Sequence, residues 1–450
     1  MLRSKTRVFH RSTVAELPIA VKGEGVYIVD SQGNRYLDAC GGAAVSCLGH
    51  SHPRVIESIK QQLDSIPFAH TSFFTSQPSE QLADFLVQRA PQGIEHVYFV
   101  SGGSEAMETA MKMARQFFLE SGQPSRRTFI ARRQSYHGNT LGALSVSGNL
   151  WRRKPFESML IDVEHISPCY PYRDKLETES DNDYGLRLAA ELEAKIVELG
   201  AENVIAFIAE PVVGATAGVL VPVEGYFKRI REICDRYGIL LILDEIMCGM
   251  GRTGTLFACE QEAICPDIIT IAKGLAAGYQ PIGATLCSDT IYQAFKQGSG
   301  VFQHGHTYIG HATACAAALA VQRTVDKEDL LANVNRMGSA LKKSLQQAVD
   351  GHQNVGDIRG RGLFIGIELV ADKVTKEPLP HELCIHQLIK KNALSLGLAC
   401  YPGGGTIDGV AGNHILLAPP YIIETQHIEE ITVKLATALD MSLREVGVRN

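Results

Sequence analysis

The chain has 450 residues, more than one hydrophobic core can organise, which predicts two or three domains around at least one large sheet. Its hydrophobic fraction of 45% and charged fraction of 20% exclude collagen-like and disordered chains. There are 43 Lys and Arg against 49 Asp and Glu, a formal net charge of −6, and no basic block occurs, so neither nucleic acid nor a membrane is expected as a partner.

The first two thirds of the chain predict strands and helices in alternation. Short strands are expected over residues 25–30 and 34–38, and helical spacing begins at Pro53. From about residue 70 to 325, apolar runs alternate with helical segments, a pattern typical of a mostly parallel sheet covered by helices. The runs span residues 96–100, 128–131, 204–209, 239–243 and 268–272, and the helices include 104–120, 188–199 and 225–237.

The last third predicts a smaller α+β unit. The expected elements are a helix over 330–349, a strand over 363–369, a helix over 381–396, a strand over 415–418 and a helix from Thr425. We predict an α/β protein in which residues 66–327 form the large domain. Residues 1–65 and 328–450 together form the small domain, with a site in the cleft between the two domains.

A loop of small residues, Ser101-Gly102-Gly103-Ser104, follows one predicted strand and opens a helix. Backbone N–H groups at such a helix start can hold a phosphate, with glycine allowing close approach and Ser104 adding a hydroxyl. A tight turn with an N-cap serine gives the same pattern. The loop alone therefore does not decide between these two interpretations.

Two buried runs end in residues suited to chemistry. Asp244 follows the run over 239–243, at the carboxyl end of a strand where open α/β sheets bind ligands, and its carboxylate can hold a protonated ring nitrogen. Lys273 directly follows the run over 268–272, where desolvation would lower the pKa of its amine and make it a nucleophile toward aldehydes. The structural alternatives are an N-cap or salt-bridged acid and a lysine that extends to water.

Two further loops are either plain connections or parts of the site. Tyr136-His137-Gly138 follows the run over 128–131, and the Tyr136 ring can cover a flat cofactor by stacking. Gly305-His306-Thr307-Tyr308 precedes an alanine-rich helix.

Together these segments resemble the class III (subgroup II) aminotransferases, the pyridoxal-phosphate enzymes of fold type I, over nearly the whole chain. The most specific similarity covers residues 243–254 and 266–275. Supporting matches are Leu48-Gly49-His50, Ala209-Glu210-Pro211 and Arg359-Gly360-Arg361-Gly362-Leu363.

The resemblance implies an aminotransferase that moves an amino group from a primary amine or an omega- or beta-amino acid to an alpha-keto acid such as pyruvate. It implies pyridoxal 5'-phosphate held as a Schiff base by Lys273 and paired at its ring nitrogen with Asp244. It also implies a homodimer, or a tetramer built from dimers, with shared active sites. The implied cofactor-binding residues are Gly103, Ser104, Tyr136, His137, Glu210, Asp244, Met247, Lys273 and, reaching the neighbouring subunit's phosphate, Thr307.

The chain departs from the family in how it would bind a substrate carboxylate. Many members use an arginine near the C-terminus, whereas the corresponding stretch here is Tyr401-Pro402-Gly403-Gly404-Gly405 and no arginine lies between Arg361 and Arg444. One hypothesis is that Arg133 takes this role; a surface arginine is the equal alternative. Met247 stands where the aminobutyrate and ornithine branches carry glutamine, which favours the omega-amino acid:pyruvate branch. The predicted substrate-pocket residues are Phe73, Phe74, Ala44, Arg133 and Tyr401.

Two other functions remain compatible with the sequence. One is a different pyridoxal-phosphate reaction on the same fold, namely decarboxylation, racemisation or an aminomutase shift. The other is a non-catalytic binding protein, which the presence of both Lys273 and Asp244 disfavours. The eleven scattered cysteines show no metal-ligand spacing, so no metal is expected, and with no secretory signal they favour a cytoplasmic protein in which thiols are packing residues.

Overall fold

The structure is a computed structural model that describes residues 6–349 and 351–448; residues 1–5, 350, 449 and 450 of the predicted small domain lie outside the described residues. The strands are β1 (Ala20–Glu24), β2 (Tyr27–Asp30), β3 (Arg35–Asp38), β4 (Ile94–Val100), β5 (Thr128–Arg132), β6 (Glu164–Ile166), β7 (Val204–Ala209), β8 (Leu240–Asp244), β9 (Ile268–Ile271), β10 (Gly283–Ser288), β11 (Val355–Arg361), β12 (Phe364–Leu369), β13 (Leu398–Ala399), β14 (Tyr401–Gly404) and β15 (Asn413–Leu417). The helices are α1 (Gly41–Ala44), α2 (Pro53–Ser65), α3 (Gln77–Val87), α4 (Gly103–Glu120), α5 (Leu141–Val146), α6 (Leu150–Arg153), α7 (Pro171–Asp174), α8 (Asp181–Leu199), α9 (Tyr226–Tyr237), α10 (Asp289–Gln297), α11 (Ala312–Lys327), α12 (Leu330–Ala348), α13 (Ile385–Ser395) and α14 (Thr425–Glu445).

A seven-stranded sheet with the order β4-β10-β9-β8-β7-β5-β6 forms the centre of the molecule. β10 is antiparallel to both of its neighbours, and the pairs from β9 to β6 are parallel. One hydrophobic core, which includes apolar residues of α8 and α9, covers one face of the sheet, and a second core, which includes those of α4 and α5, covers the other. The predicted α/β fold is thereby confirmed.

The central strands form where the sequence is continuously apolar. Every residue of β7, with the sequence VIAFIA, is buried, as expected for a parallel strand that is covered on both faces. The helix before it, α8, starts with a capping box in which Ser180 and Asp183 bond each other's backbone N–H groups. The capping box fixes where α8 begins, and the apolar run fixes β7 and so which residues follow at its carboxyl end.

Two four-stranded sheets lie outside the central one. The antiparallel sheet β11-β12-β15-β14 comes from the C-terminal part of the chain. In the other sheet, β1-β2-β3-β13, the C-terminal strand β13 pairs in parallel with the N-terminal strand β3, so both ends of the chain share one sheet. The domain boundaries after residues 65 and 327 stay a prediction.

Some elements differ from the sequence-based expectation. β10 and β11 are strands that no apolar run announced, because β10 has the mixed sequence GATLCS and β11 has the polar sequence VGDIRGR. The N-terminal segment starts with β1, which forms a hairpin with β2, whereas the sequence predicted its first strand only from residue 25. No helix within the described residues is long and apolar enough to cross a membrane.

Candidate active site

A cavity of about 180 Å³ opens at the carboxyl ends of β4, β8 and β9. Open α/β sheets place ligand sites at this edge because the loops that leave neighbouring parallel strands meet there. Loops after β5 and β7 complete the wall. The residues that line the cavity are Gly103, Ser104, Tyr136, His137, Gly138, Glu210, Asp244, Ile246, Met247 and Lys273.

Lys273 supplies the amine of this cavity. Burial lowers the pKa of Lys273, and the negative charges of Asp244 and Glu210 act in the opposite direction. Its backbone lies in the left-handed region at φ +45°, a conformation that costs a non-glycine residue about 1–3 kcal/mol and persists where the surrounding fold imposes it. The fold thus delivers an amine that releases its proton more readily than a lysine in water.

Asp244 and His137 form a buried pair opposite the amine. Nδ1 of His137 lies 2.8 Å from Oδ2 of Asp244, and Oδ1 of Asp244 accepts a hydrogen bond from the N–H of Ile246 at 3.0 Å. The backbone N–H of His137 donates to the Ser147 hydroxyl at 2.8 Å, which fixes the imidazole. Asp244 is therefore a carboxylate held in one orientation by two donors, an arrangement suited to pairing with a protonated ring nitrogen.

Glu210 fixes the loop that carries Tyr136. Its Oε1 accepts from the N–H of Tyr136 at 2.9 Å and its Oε2 from the N–H of Gly214 at 2.9 Å. Burial raises the pKa of Glu210, and these two backbone donors act against that rise. Since both carboxylate oxygens are engaged by backbone, Glu210 positions the Tyr136 loop.

The first turn of α4 forms one wall of the cavity. Gly103 and Ser104 begin this 18-residue helix, and its cap residue Gly102 contributes no side-chain hydrogen bond, so the helix start is open to a ligand. The Ser104 hydroxyl accepts from the N–H of Asn139 at 2.9 Å, which ties the Tyr136 loop to the helix start.

Several residues predicted for the site lie outside the cavity lining. Phe73 and Phe74 are 79% and 67% exposed, and Thr307 is also exposed. The guanidinium of Arg133 donates to the carbonyl of His165 at 3.1 Å and to the hydroxyl of Ser167. Its role in substrate binding stays a prediction that this placement does not support.

Ala44 and Tyr401 lie one layer behind the cavity. Both pack in one apolar cluster with Met247, which does line it. Small Ala44 and the ring of Tyr401 therefore belong to the apolar layer on the Met247 side and do not line the cavity themselves.

Sequence reasoning did not assign Gly138 and Ile246 to the site. Gly138 belongs to the Tyr136-His137-Gly138 motif, and a Cβ added to it would lie 2.8 Å from the Ser104 Oγ. Ile246 follows Asp244 by two residues, and its methyl groups would lie 2.9–3.0 Å from a Cβ on Gly103. Both residues could have been found because each lies within two positions of a residue that the sequence assigned to the site.

Comparison with known proteins identifies the family. The model of the family described as "Aminotransferase class-III" matches residues 9–439. The chain belongs to this family. It is 44% identical over 436 residues to an aminotransferase of Schizosaccharomyces pombe, which covers 97% of this chain and 95% of that protein.

Two further similarities concern proteins with more specific names. The putrescine–pyruvate aminotransferase of Pseudomonas aeruginosa is 36% identical over 430 residues, covering 95% of this chain and 91% of its own. The crystal structure of the omega transaminase from Pseudomonas jessenii in complex with PMP superposes with a TM-score of 0.90 at 35% identity, covering 96% of this chain and 94% of that one. The predicted resemblance to the omega-amino acid:pyruvate branch is confirmed.

The chain is therefore a transaminase whose cofactor is pyridoxal phosphate. The cavity fits this cofactor chemically: it holds an amine with a lowered pKa, a fixed carboxylate and an open helix start. The buried Nε2 of His137, a residue that lines the cavity, has no hydrogen-bond partner within the described chain, so one buried polar group of this site is left unpaired. Among the described residues, no group of three His, Cys, Asp or Glu is arranged to hold a metal ion.

Proposed function

We propose that this transaminase moves the amino group of a primary amine, or of an omega- or beta-amino acid, to an alpha-keto acid such as pyruvate. The observation that carries the proposal is the cavity itself, in which the Lys273 amine and the Asp244–His137 pair share one space of about 180 Å³. The names of similar proteins, a putrescine–pyruvate aminotransferase and an omega transaminase, support the choice of substrates.

Each cavity residue has a proposed role in this reaction. Lys273 would hold the cofactor through its amine and, once that amine is free, would act as the general base that takes the proton from the reacting carbon of the substrate. Asp244 would keep the ring nitrogen of the cofactor protonated, and the cofactor, when bound, would supply the electron-withdrawing ring that the reaction needs. The start of α4 binds the phosphate, and Tyr136 covers one face of the ring.

The side of the cavity near Met247 favours an amine substrate with a non-polar chain. The Met247 Sδ would lie 2.6 Å from a Cβ on Gly214, so a thioether fills a place where a glutamine would present an amide. Together with small Ala44 behind it, this wall offers space and few polar partners to the substrate chain. We propose that amines with apolar or extended chains fit here.

We also propose a homodimer with shared sites, acting in the cytoplasm. Phe68, near the exposed Phe73 and Phe74, packs against Tyr308 of the Thr307 loop with ring centroids 5.7 Å apart. Phe73, Phe74 and Thr307 thus lie on connected segments outside their own cavity lining. This arrangement supports their use by the neighbouring subunit.

A donor panel tests the proposed reaction. Purified enzyme with pyridoxal phosphate is incubated with diamines, omega-amino acids, beta-amino acids and aryl-alkyl amines, against pyruvate or 2-oxoglutarate. We expect one mole of keto acid consumed per mole of amine lost, with pyruvate preferred. Amine loss without keto-acid consumption would instead support another reaction of the same cofactor.

A lysine variant tests the role of Lys273. Lys273→Ala is expected to lose the absorbance band of the protein-bound cofactor and to transaminate at least about 10³-fold more slowly, because the amine both carries the cofactor and moves the proton. Lys228→Ala, at an exposed position of α9, is the matched control and keeps both properties. A Lys273→Ala variant with an unchanged band would contradict the assignment.

A further inference from the structure

The guanidinium of Arg152 lies over the ring of Tyr136, a residue that lines the cavity. Arg152 lies in α6, and its Cζ is 4.9 Å from the centroid of the Tyr136 ring and 5.7 Å from that of Trp151. Tyr136 lines the cavity, so the cation is one side chain away from the space where substrate reacts. Cation–π contacts of this kind hold a guanidinium over a ring while leaving its N–H donors available to an anion.

The surroundings of Arg152 differ from those of the neighbouring arginines. Arg153 donates to the carbonyls of Leu144 and Ser147, at 3.2 and 2.8 Å, and so is engaged in holding its own loop. Arg133 is bound to His165 and Ser167. Within the described part of the chain, the Arg152 guanidinium lies over the Tyr136 and Trp151 rings and forms no salt bridge.

A chain of buried amides fixes the backbone beneath Arg152. The Asn149 Oδ1 accepts from the N–H of Arg152 at 3.2 Å, and the Asn149 Nδ2 donates to the Gln134 Oε1 at 3.1 Å. The Gln134 Nε2 donates in turn to the carbonyls of Gly405 and Thr406, at 2.9 and 3.1 Å. Arg152 is thus tied to the C-terminal segment in which the sequence has glycines and no arginine.

The charge near Tyr136 is consistent with an anion site. Burial raises the pKa of Tyr136, and the positive charges of Arg152 and Arg11 both act against that rise. The Arg152 guanidinium has no carboxylate partner among the described residues and lies beside a partly buried ring. It can therefore donate two parallel hydrogen bonds to the carboxylate of a ligand.

We propose that Arg152 binds the carboxylate of the amino-acid or keto-acid substrate and so determines specificity at this site. The inference rests on the proposed transamination. It identifies substrates with a carboxylate as the class that this site favours. Substrates that carry a carboxylate bind with Arg152, whereas uncharged amines bind without this contact.

The test compares two donors of similar size in the donor half-reaction alone. Beta-alanine and propylamine are each mixed with the cofactor-loaded enzyme, and kcat/KM is measured from the change in cofactor absorbance. In Arg152→Met the ratio of beta-alanine to propylamine kcat/KM is expected to fall about 10- to 100-fold, the effect of losing a hydrogen bond to a charged group. Arg152→Lys restores part of the ratio, since a single ammonium replaces a bidentate fork.

Two further measurements separate this inference from the proposed function. Binding of propionate, followed by calorimetry, weakens about tenfold or more in Arg152→Met, independently of turnover. Lys154→Met, which removes one exposed positive charge two residues away, leaves the donor ratio and propionate binding unchanged. Should native enzyme react with neither donor, the proposed donor class fails while the propionate measurement still tests Arg152.

Two results would overturn the role of Arg152. One is an equal loss for beta-alanine and propylamine in Arg152→Met with unchanged propionate binding. The other is a fall in the donor ratio in Arg133→Met and none in Arg152→Met, which would return carboxylate recognition to Arg133.

Discussion

Asp244 and Glu245 are adjacent carboxylates with different tasks. Asp244 lines the cavity, whereas Glu245 accepts hydrogen bonds from the backbone N–H groups of Ala258 and Cys259, at 2.5 and 2.8 Å. Burial raises the pKa of Glu245 to about 7, although these two donors act in the opposite direction. Glu245 therefore holds the loop after β8 in place, and its contribution to the free energy of unfolding depends on pH.

This shift predicts a pH-dependent stability. The folded pKa of about 7 lies above the ordinary value of 4.5, so the folded protein binds this proton more tightly. The resulting stabilisation is complete below about pH 4.5 and is lost as pH rises to about 7, a change of about 3 kcal/mol. Glu245→Gln lacks this group, so the free energy of unfolding of the native protein relative to the variant should decrease by about that amount across the range.

Guanidinium unfolding at a series of pH values measures the effect. Glu224→Gln, at an exposed position, controls for the loss of one carboxylate and should follow the native curve. Native and Glu245→Gln curves that run parallel from pH 4.5 to 7 would show that Glu245 does not carry a raised pKa in the folded protein.

The sequence predicts a cavity residue only where that residue directly follows a buried strand. Asp244 and Lys273 follow buried apolar runs, and the carboxyl ends of parallel strands converge, so their proximity was predictable. The sequence analysis offered Arg133 for the substrate carboxylate and did not consider Arg152, because the direction of a long side chain depends on partners such as His165 and Tyr136 that come from other segments. The hydrogen bonds of both Glu210 oxygens to backbone N–H groups could not be predicted for the same reason, because one donor comes from a distant segment.

At the scale of elements, Gly138 is the point where the loop after β5 meets the start of α4. It adopts φ +142°, a region that other residues rarely occupy, and an added Cβ would lie 2.8 Å from both the Ser104 Oγ and the Ala143 Cβ. The loop after β5 thus meets α4 and α5 at a residue without a side chain. Their contact positions both the Tyr136 ring and the proposed phosphate-binding turn.

Gly138→Ala is expected to weaken cofactor binding about tenfold or more, because the methyl group would push the loop away from the helix start. Gly122→Ala is the matched control: Gly122 also has a positive φ, +70°, but its Cβ would meet nothing within 4 Å. The control should lose about 1 kcal/mol of stability and keep native cofactor affinity. Titration of each apoenzyme with pyridoxal phosphate measures the affinity; equal affinities of the two variants would refute the role of this junction.

The elements predicted from sequence are those whose stability is local. Continuous apolar runs gave β7 and β8, and helical periodicity gave α4 and α9 to within one or two residues. β10 was missed because its sequence is mixed and one of its two partners, β4, lies far away in the sequence. β11 was missed because its polar sequence shows no apolar run, although its partner β12 follows it directly in the chain.

At the scale of the whole molecule, one side of the subunit exposes large apolar side chains. Phe73 is 79% exposed and Phe74 67% exposed, and the segment that carries them contacts the Thr307 loop through Phe68 and Tyr308. Exposed aromatic residues grouped in this way are typical of protein interfaces. In the proposed twofold dimer this surface meets its own copy, and each Thr307 loop is proposed to serve the other subunit's cavity, as the family resemblance implies.

Mixed dimers test this shared-site arrangement. Lys273→Ala removes the amine from its own site, and Thr307→Asp repels the phosphate in the partner's site, so each variant alone is expected to be nearly inactive. In a dimer with one subunit of each kind, the Thr307→Asp subunit supplies Lys273 and the other supplies Thr307, so one of the two sites is complete. Random pairing makes half of the dimers mixed, and activity should recover to about one quarter of native.

The control for this recovery uses Lys273→Ala mixed with the double variant Lys273→Ala/Thr307→Asp, in which no subunit supplies the amine and no activity returns. Sedimentation of the mixtures verifies that dimers form. A mixture of the two single variants that sediments as dimers yet stays inactive would mean that Thr307 does not serve the neighbouring site. Full activity of Thr307→Asp alone would lead to the same conclusion, since the proposed phosphate contact crosses the interface and a carboxylate there must repel the phosphate in every dimer.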